Sequence, residues 1–260
     1  GEPQTITDTV RAWQWLPAET LPPTDVVAPA LSPRPGFAVG YELLPAYRPS
    51  WSGFMPAALA EMAARGSNAV IFTPTWTLQV NRPLPILGLD PARAALRGDL
   101  LAWSSEAGRL GLQVGLQPAL TPAYGTVAEW WSGAPRDAAW WAVWYESYRS
   151  FILTQARLAG EAGASSLILG GAEIVPALPD GRLADGSPSG APADADARWR
   201  ALIGEVRGVF AGRIGFRLDL GEDLQPPPSF IEAVDDVHLA WAAPLTPGGP
   251  ADVQSMQATA

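Results

Sequence analysis

The chain reads as an α/β protein, a (β/α) barrel of which about six strand–helix units are visible in its 260 residues. Three observations predict this. Short apolar runs rich in Val, Ile, Leu and Phe alternate with longer segments of helical periodicity, the pattern of a parallel sheet with right-handed crossovers. Glycine closes successive helical segments, as in Arg65-Gly66 and Leu110-Gly111. No Gly-rich dinucleotide fingerprint follows the first strand, which places a barrel ahead of an open doubly wound sheet.

Taken in order, residues 1–35 form a Pro-rich arm or linker in which Trp13 and Trp15 alternate as in a short strand. The barrel domain is expected over residues 36–245. Phe37 to Tyr41 is its first strand, and Phe54 to Ala64 the helix that follows. Ala69 to Thr73 is the second strand, Leu96 to Leu110 a helix, and Leu112 to Leu116 the third strand. A long helix from Asp137 to Ala162 leads into the fourth strand, Ser166 to Gly170. Pro176 to Asp196 reads as a long loop, Trp199 to Phe210 as a helix, Ile214 to Leu218 as the fifth strand and Val237 to Trp241 as the sixth. The tail, 246–260, is too short for two further units. The expectation is therefore a TIM-barrel-like domain that is incomplete. Its open edge would carry unpaired backbone groups, to be covered by the arm, the tail, other domains of a larger parent chain or a second copy.

Composition narrows the chemistry. With 48% hydrophobic residues the chain can bury one large core. Its net charge of −9 argues against nucleic acid, because no basic stripe exists to neutralise phosphates. Zero cysteines exclude disulfides and thiolate metal sites, and the single histidine, His238, disfavours a Ser-His-Asp triad or a multi-histidine metal centre. Carboxylates are left as the abundant reactive groups, with neither metal nor organic cofactor expected. No apolar run reaches membrane-spanning length, and no signal-peptide pattern is visible at Gly1.

Five segments then occur in a telling order. They are Gly66-Ser67-Asn68-Ala69-Val70, the run from Arg109 to Pro118, the helix segment Trp144 to Ile152, Leu169-Gly170-Gly171-Ala172-Glu173-Ile174, and Val234-Asp235-Asp236-Val237 followed by Trp241 and Pro244-Leu245. Over roughly Gly36 to Leu245 this order resembles glycoside hydrolase family 113, the β-mannanase family of the clan A barrels. The resemblance implies that Glu173, at the end of the fourth strand, is the acid/base. It also implies a nucleophilic glutamate on a seventh strand, which this sequence does not show. Gln117 stands where the family usually has lysine, and Ala172 where clan A usually has asparagine.

The residues themselves support part of that assignment. Retaining glycosidases need two carboxyl groups about 5–5.5 Å apart, one of them held protonated to donate to the leaving oxygen. Glu173 follows an apolar strand and two glycines, at the carboxyl end where barrel active sites lie. Asp219 ends the fifth strand on that same face, although an ion pair with Arg217 or Arg213 accounts for it equally well. Glu42, just after the first strand, is a reserve candidate. Asp235 and Asp236 precede the sixth strand, at the wrong end of the barrel, and read as turn residues; His238 lies within a strand and reads as a core histidine. Trp76, Trp241 and Trp131, the last beside Trp130 in the loop after the third strand, are candidate sugar-stacking platforms at the mouth. Trp140, Trp144 and Tyr148 recur every four residues and belong to a helix face packed on the barrel.

The leading expectation is a glycoside hydrolase-like domain, retaining and endo-β-mannanase-like, whose partner is a carbohydrate of the β-1,4-mannan type, as the resemblance implies. The alternative is a non-catalytic carbohydrate-binding or structural barrel of a larger secreted or cell-surface bacterial protein, favoured by Ala172 and the missing last strands. A metal-dependent hydrolase is disfavoured by the lone histidine and the absence of cysteine. Without a seventh-strand glutamate, the chain alone is expected to be inactive or very weak on mannan.

Overall fold

The computed structural model describes residues 38–43, 49–220 and 227–241. The expected arm and tail, and anything they cover, lie outside the described residues.

In chain order the structure contains β1 (Gly40–Glu42), α1 (Met55–Ala64), β2 (Ala69–Phe72), β3 (Thr75–Val80), β4 (Ile86–Gly88) and α2 (Arg97–Arg109). There follow β5 (Gln113–Leu116), β6 (Ala119–Pro122), α3 (Val127–Gly133), α4 (Ala138–Glu161) and β7 (Ser166–Gly170). A short 3-10 helix (Ala172–Ala177), α5 (Ala195–Val209), β8 (Arg213–Leu220) and β9 (Asp236–Trp241) complete it. Helix starts carry local signals: Asp137 accepts from the Trp140 N–H at 2.8 Å, and Thr126 with Glu129 forms a capping box on α3.

Six strands form one sheet in the order β1-β2-β5-β7-β8-β9, every neighbouring pair parallel. These are the six expected strands, and among the described residues they make a partial barrel coated by helices. A strand sends successive side chains to opposite faces, so two rows follow from the register. The outer row carries Val70, Phe72, Leu116, Leu167, Leu169, Ile214 and Phe216, all at most 1% exposed. The inner row mixes small and polar residues with isoleucines: Gly115 lies against Ser166 and Ile71, and Gly215 against His238 and Ile168. At the two edges the outer row is left open, with Tyr41 of β1 44% exposed and Val237 and Leu239 of β9 50% and 61% exposed.

The long helix α4 provides the largest part of the packing under the outer row. Trp140, Trp144, Tyr148 and Phe151 are buried on its sheet-facing side, and Trp144 stacks on Tyr148 at 5.0 Å. The core assignment of that face is met.

Two stretches differ from expectation. The segment between β2 and α2 contributes β3 and β4 to a second, three-stranded sheet, β4-β3-β6, in which β3 runs parallel to β6 and antiparallel to β4. No element is expected there from the sequence, but the Thr-Trp-Thr-Leu-Gln-Val run suits a pleated surface. The segment after the third strand is not a loop either: it contains α3, capped as above. The region from Pro176 to Asp196 is a 3-10 turn and a loop, and α5 begins at Ala195, four residues before the expected Trp199.

Candidate active site

The site grows from the end of β7. Leu167 and Leu169 anchor the strand in the core, and the chain then turns through two glycines with positive φ, Gly170 (91°) and Gly171 (129°). A Cβ at Gly170 would stand 2.6 Å from the Arg217 carbonyl oxygen, and one at Gly171 would stand 2.4 Å from a Glu173 carboxyl oxygen. Only glycine fits both the conformation and the space. The turn delivers Glu173 into the first turn of the 3-10 helix, with its carboxyl folded back over the end of the strand.

Two neighbours hold it there. The Leu120 N–H on β6 donates to Glu173 Oε1 at 3.3 Å, and the Trp131 indole N–H on α3 donates to the Glu173 carbonyl oxygen at 2.9 Å. Burial pushes the Glu173 carboxyl up to about 7, helped by the charge of Asp219 and opposed by backbone hydrogen bonds and by Arg217. A carboxylic acid that keeps its proton close to neutrality has the property a general acid requires.

Across the inner face lies a charged cluster. Arg217 of β8 donates to Glu42 of β1 at 2.6 Å and to Asp219, two residues along its own strand, at 2.9 Å. Gln117 Nε2 donates to the same Glu42 oxygen at 3.3 Å. The imidazole of His238 lies over Gly215, where a Cβ would be 2.7 Å from the ring. Burial lowers its pKa below the ordinary value, against the pull of Asp236 and Glu42.

The sequence candidates fare unequally. Glu173, Asp219 and Glu42 lie toward one electrostatic environment, because Arg217 is tied to both Glu42 and Asp219, and Arg217 and Asp219 both act on Glu173. Asp219 also makes the ion pair with Arg217 that was its other explanation. Asp235 and Asp236 pair with Arg207 and Arg213, at the amino ends of the strands. Trp131 is corrected: it sits in α3, 2% exposed, ringed by Trp130, Trp140, Trp141 and Trp144, so it is a buried prop rather than a platform. Trp130 is buried beside it. Trp76 is corrected too: it lies in β3 and packs on Phe151 of α4 at 5.2 Å, lining a cleft against helices α2 and α4 rather than the surroundings of Glu173. Trp241 ends β9, and its side chain lies outside the described residues.

Leu120 escaped sequence reasoning, and Gln117 and Arg217 were read without a place in the site. Gln117 and the Leu120 N–H come from the β5–β6 segment, whose break at Pro118 hid the continuation of the strand. Arg217 was noticed only as a partner for Asp219, although its place in Arg213-Ile214-Gly215-Phe216-Arg217 puts it on the polar row. Among the described residues no group of three or more His, Cys, Asp or Glu is placed to hold a metal ion. Among them, too, no helix is long and apolar enough to cross a membrane.

A sequence profile described as Glycoside Hydrolase Family 113 matches residues 53–246. The fold is similar to that of a solved family 113 β-1,4-mannanase, with a TM-score of 0.60 and 17% identity, covering 78% of this chain and 62% of the other. A complex of a family 113 β-1,4-mannanase gives 0.57 and 17%, over 76% of this chain and 60% of the other. The family 113 β-mannanase AaManA of Alicyclobacillus acidocaldarius, in complex with ManMIm, gives 0.56 and 19%, over 76% and 58%. At these identities the likeness shows the fold, and the chain spans about three fifths of the length of each of these structures. No curated protein matches the sequence.

Proposed function

The chain belongs to glycoside hydrolase family 113, and from that premise we propose that it acts on a β-linked, mannan-type polysaccharide with Glu173 as general acid/base. The observation that carries this reading is the desolvated Glu173 carboxyl at the carboxyl end of the fourth barrel strand, raised to about 7. Barrel active sites gather at that end, and an acid poised near the working pH protonates a leaving glycosidic oxygen efficiently. Asp219, on the same face of the sheet and paired with Arg217 at 2.9 Å, is the candidate partner carboxylate that glycoside cleavage requires. Substrates of this kind are polymers met outside the cell, which supports an extracellular or cell-surface site of action.

The test is reducing-sugar release from β-1,4-mannan by the 260-residue chain and by Glu173→Gln. Loss of about a hundredfold or more in the variant supports the acid role; turnover that survives the substitution unchanged sinks it. A second reading, a non-catalytic carbohydrate-binding domain, is favoured by one observation. Glu42 and Asp219 are both engaged by Arg217, which reduces their availability as nucleophile or base. Under that reading the chain binds mannohexaose saturably and releases no reducing ends.

A further inference from the structure

The segment that carries Glu173 is held from the helix layer at both ends. Tyr145 of α4 donates its hydroxyl to the Ala177 carbonyl oxygen at 2.7 Å, and the Trp199 indole N–H of α5 donates to the same oxygen at 3.0 Å. Tyr148 of α4 accepts the Gly170 N–H with its hydroxyl oxygen. Gly170 opens the glycine turn and Ala177 closes the 3-10 helix, so one helix grips the segment at its beginning and its end. Residues three apart on a helix point to the same side, which is how Tyr145 and Tyr148 reach one segment.

Their rings are fixed in turn. Trp144 stacks on Tyr148 at 5.0 Å and meets Tyr145 edge-on at 5.1 Å, while Phe151 and Trp199 close around Tyr148, which is 2% exposed. Phenylalanine would fill the same space without the cost of carrying a hydroxyl into an aromatic cluster. The hydroxyls are aimed at the backbone that presents Glu173.

We propose that Tyr145 and Tyr148 are positioning residues for Glu173: their hydroxyls pin the two ends of its segment, Ala177 and Gly170, and hold its carboxyl in its desolvated place against the Leu120 N–H. The pins matter because Gly170 and Gly171 leave the turn free to pivot, and glycine resists such motion least of all residues. An acid that drifts by about 1 Å from its working position loses much of its effect. The bearing on turnover rests on the acid role proposed above; the placement of the carboxyl does not.

The experiment is carbon-13 NMR on chain labelled at the glutamate carboxyl, the Glu173 resonance being identified by its loss in Glu173→Gln. The parent chain, Tyr145→Phe and Tyr148→Phe are titrated with pH. Burial pushes both phenols well above their ordinary range, so neither ionises where Glu173 does. Asp219 and Arg217, which also act on the Glu173 carboxyl, lie on β8 and are unaltered in both variants. In Tyr148→Phe the titration should move down from about 7 by about one pH unit, as the loosened turn lets water reach the carboxyl. Tyr145→Phe should move it less, because Trp199 still holds the Ala177 oxygen. That variant leaves the oxygen partnered and carries the test if Tyr148→Phe folds poorly. The Gly170 amide should exchange with solvent about tenfold faster in Tyr148→Phe. Hydrolysis of mannohexaose by Tyr148→Phe should lose about tenfold in kcat with KM nearly unchanged. A Glu173 titration identical in all three chains overturns the positioning role and leaves the acid role intact. A shift away from the ordinary carboxyl value, rather than toward it, overturns the positioning role as well. A downward shift in the variants while no chain releases sugar keeps the positioning role and removes the acid role.

Discussion

Arg217 on the fifth strand of the sheet donates to Glu42 on the first at 2.6 Å. In a flat sheet the four intervals between those strands would separate their backbones by about 19 Å, more than the two side chains can span. The ion pair therefore records the curvature that turns six parallel strands into a bowl, and it stands on the inner face of that bowl.

Removing the guanidinium should affect both stability and titration. Arg217→Met leaves Glu42 and Asp219 without their shared cation, and a loss of about 1–3 kcal/mol is expected for this partly exposed network. Arg217 also restrains the upward shift of Glu173, so its removal should move the Glu173 titration to higher pH. Denaturant unfolding at pH 7 and the alkaline limb of the pH–rate profile check the two effects. Arg217→Lys should restore more of the titration than of the stability, since an ammonium keeps the charge but loses the forked geometry.

Glu173 makes stability depend on pH in a definite direction. Its folded pKa lies above its ordinary value, so the native state binds more protons than the unfolded chain between about 4.5 and about 7. Stability is then highest below that window and falls as pH rises through it. Glu173→Gln removes this penalty, and the variant should be about 2–3 kcal/mol more stable than the parent at pH 8, with little difference at pH 4. Unfolding curves collected across that range decide the matter; a parallel pH dependence in the two proteins would contradict the desolvated carboxyl.

Activity should follow the same group. The acid form of Glu173 disappears as pH rises above about 7, so kcat/KM is expected to fall by tenfold per pH unit beyond that point. A pH–rate profile on a soluble mannooligosaccharide measures it. A plateau extending past pH 9 would exclude Glu173 as the proton donor.

Gly171 is predicted to tolerate no side chain. At φ 129° an alanine is strained, and its Cβ would fall 2.4 Å from the Glu173 carboxyl. Gly171→Ala should cost about 1–3 kcal/mol and displace the carboxyl, with activity lost beyond what the stability change explains. A crystal structure of the variant with Glu173 unmoved would refute the steric account.

Trp131 is predicted to act as a positioning residue through its indole N–H. Trp131→Phe removes the donor to the Glu173 carbonyl oxygen and also shrinks a buried ring. The expected cost is about 2–4 kcal/mol in stability together with a lower kcat and a nearly unchanged KM. Equal losses in both kinetic constants would assign Trp131 to packing alone.

Much of this protein was legible in one dimension. The strand runs at 69–73, 112–116, 166–170, 214–218 and 237–241 reappear within a residue or two of their expected bounds, three helices match to within a residue, and α5 starts four residues earlier than expected. Periodicity and glycine punctuation are local signals, which is why they survive without the fold. The same holds for Glu173: an apolar strand ending in Gly170-Gly171 already prescribes a tight turn that presents the next polar residue. The small sheet went unassigned, since its pairing of β3 with β6 joins residues more than forty positions apart.

Local pattern alone was enough to find the strands of the main sheet, the four longer helices and the carboxylate at the end of the fourth strand. The small sheet, α3 and the surroundings of each side chain came only with the folded chain. Trp76 and Trp131 look equivalent as letters, yet one lines an outer cleft and the other is sealed beneath the site, because burial depends on which helix crosses which strand. Glu42 and Arg217 are separated by 175 positions, and no local pattern couples them. Their contact exists because the sheet curves, and curvature is a sum over all six strands that no single segment carries.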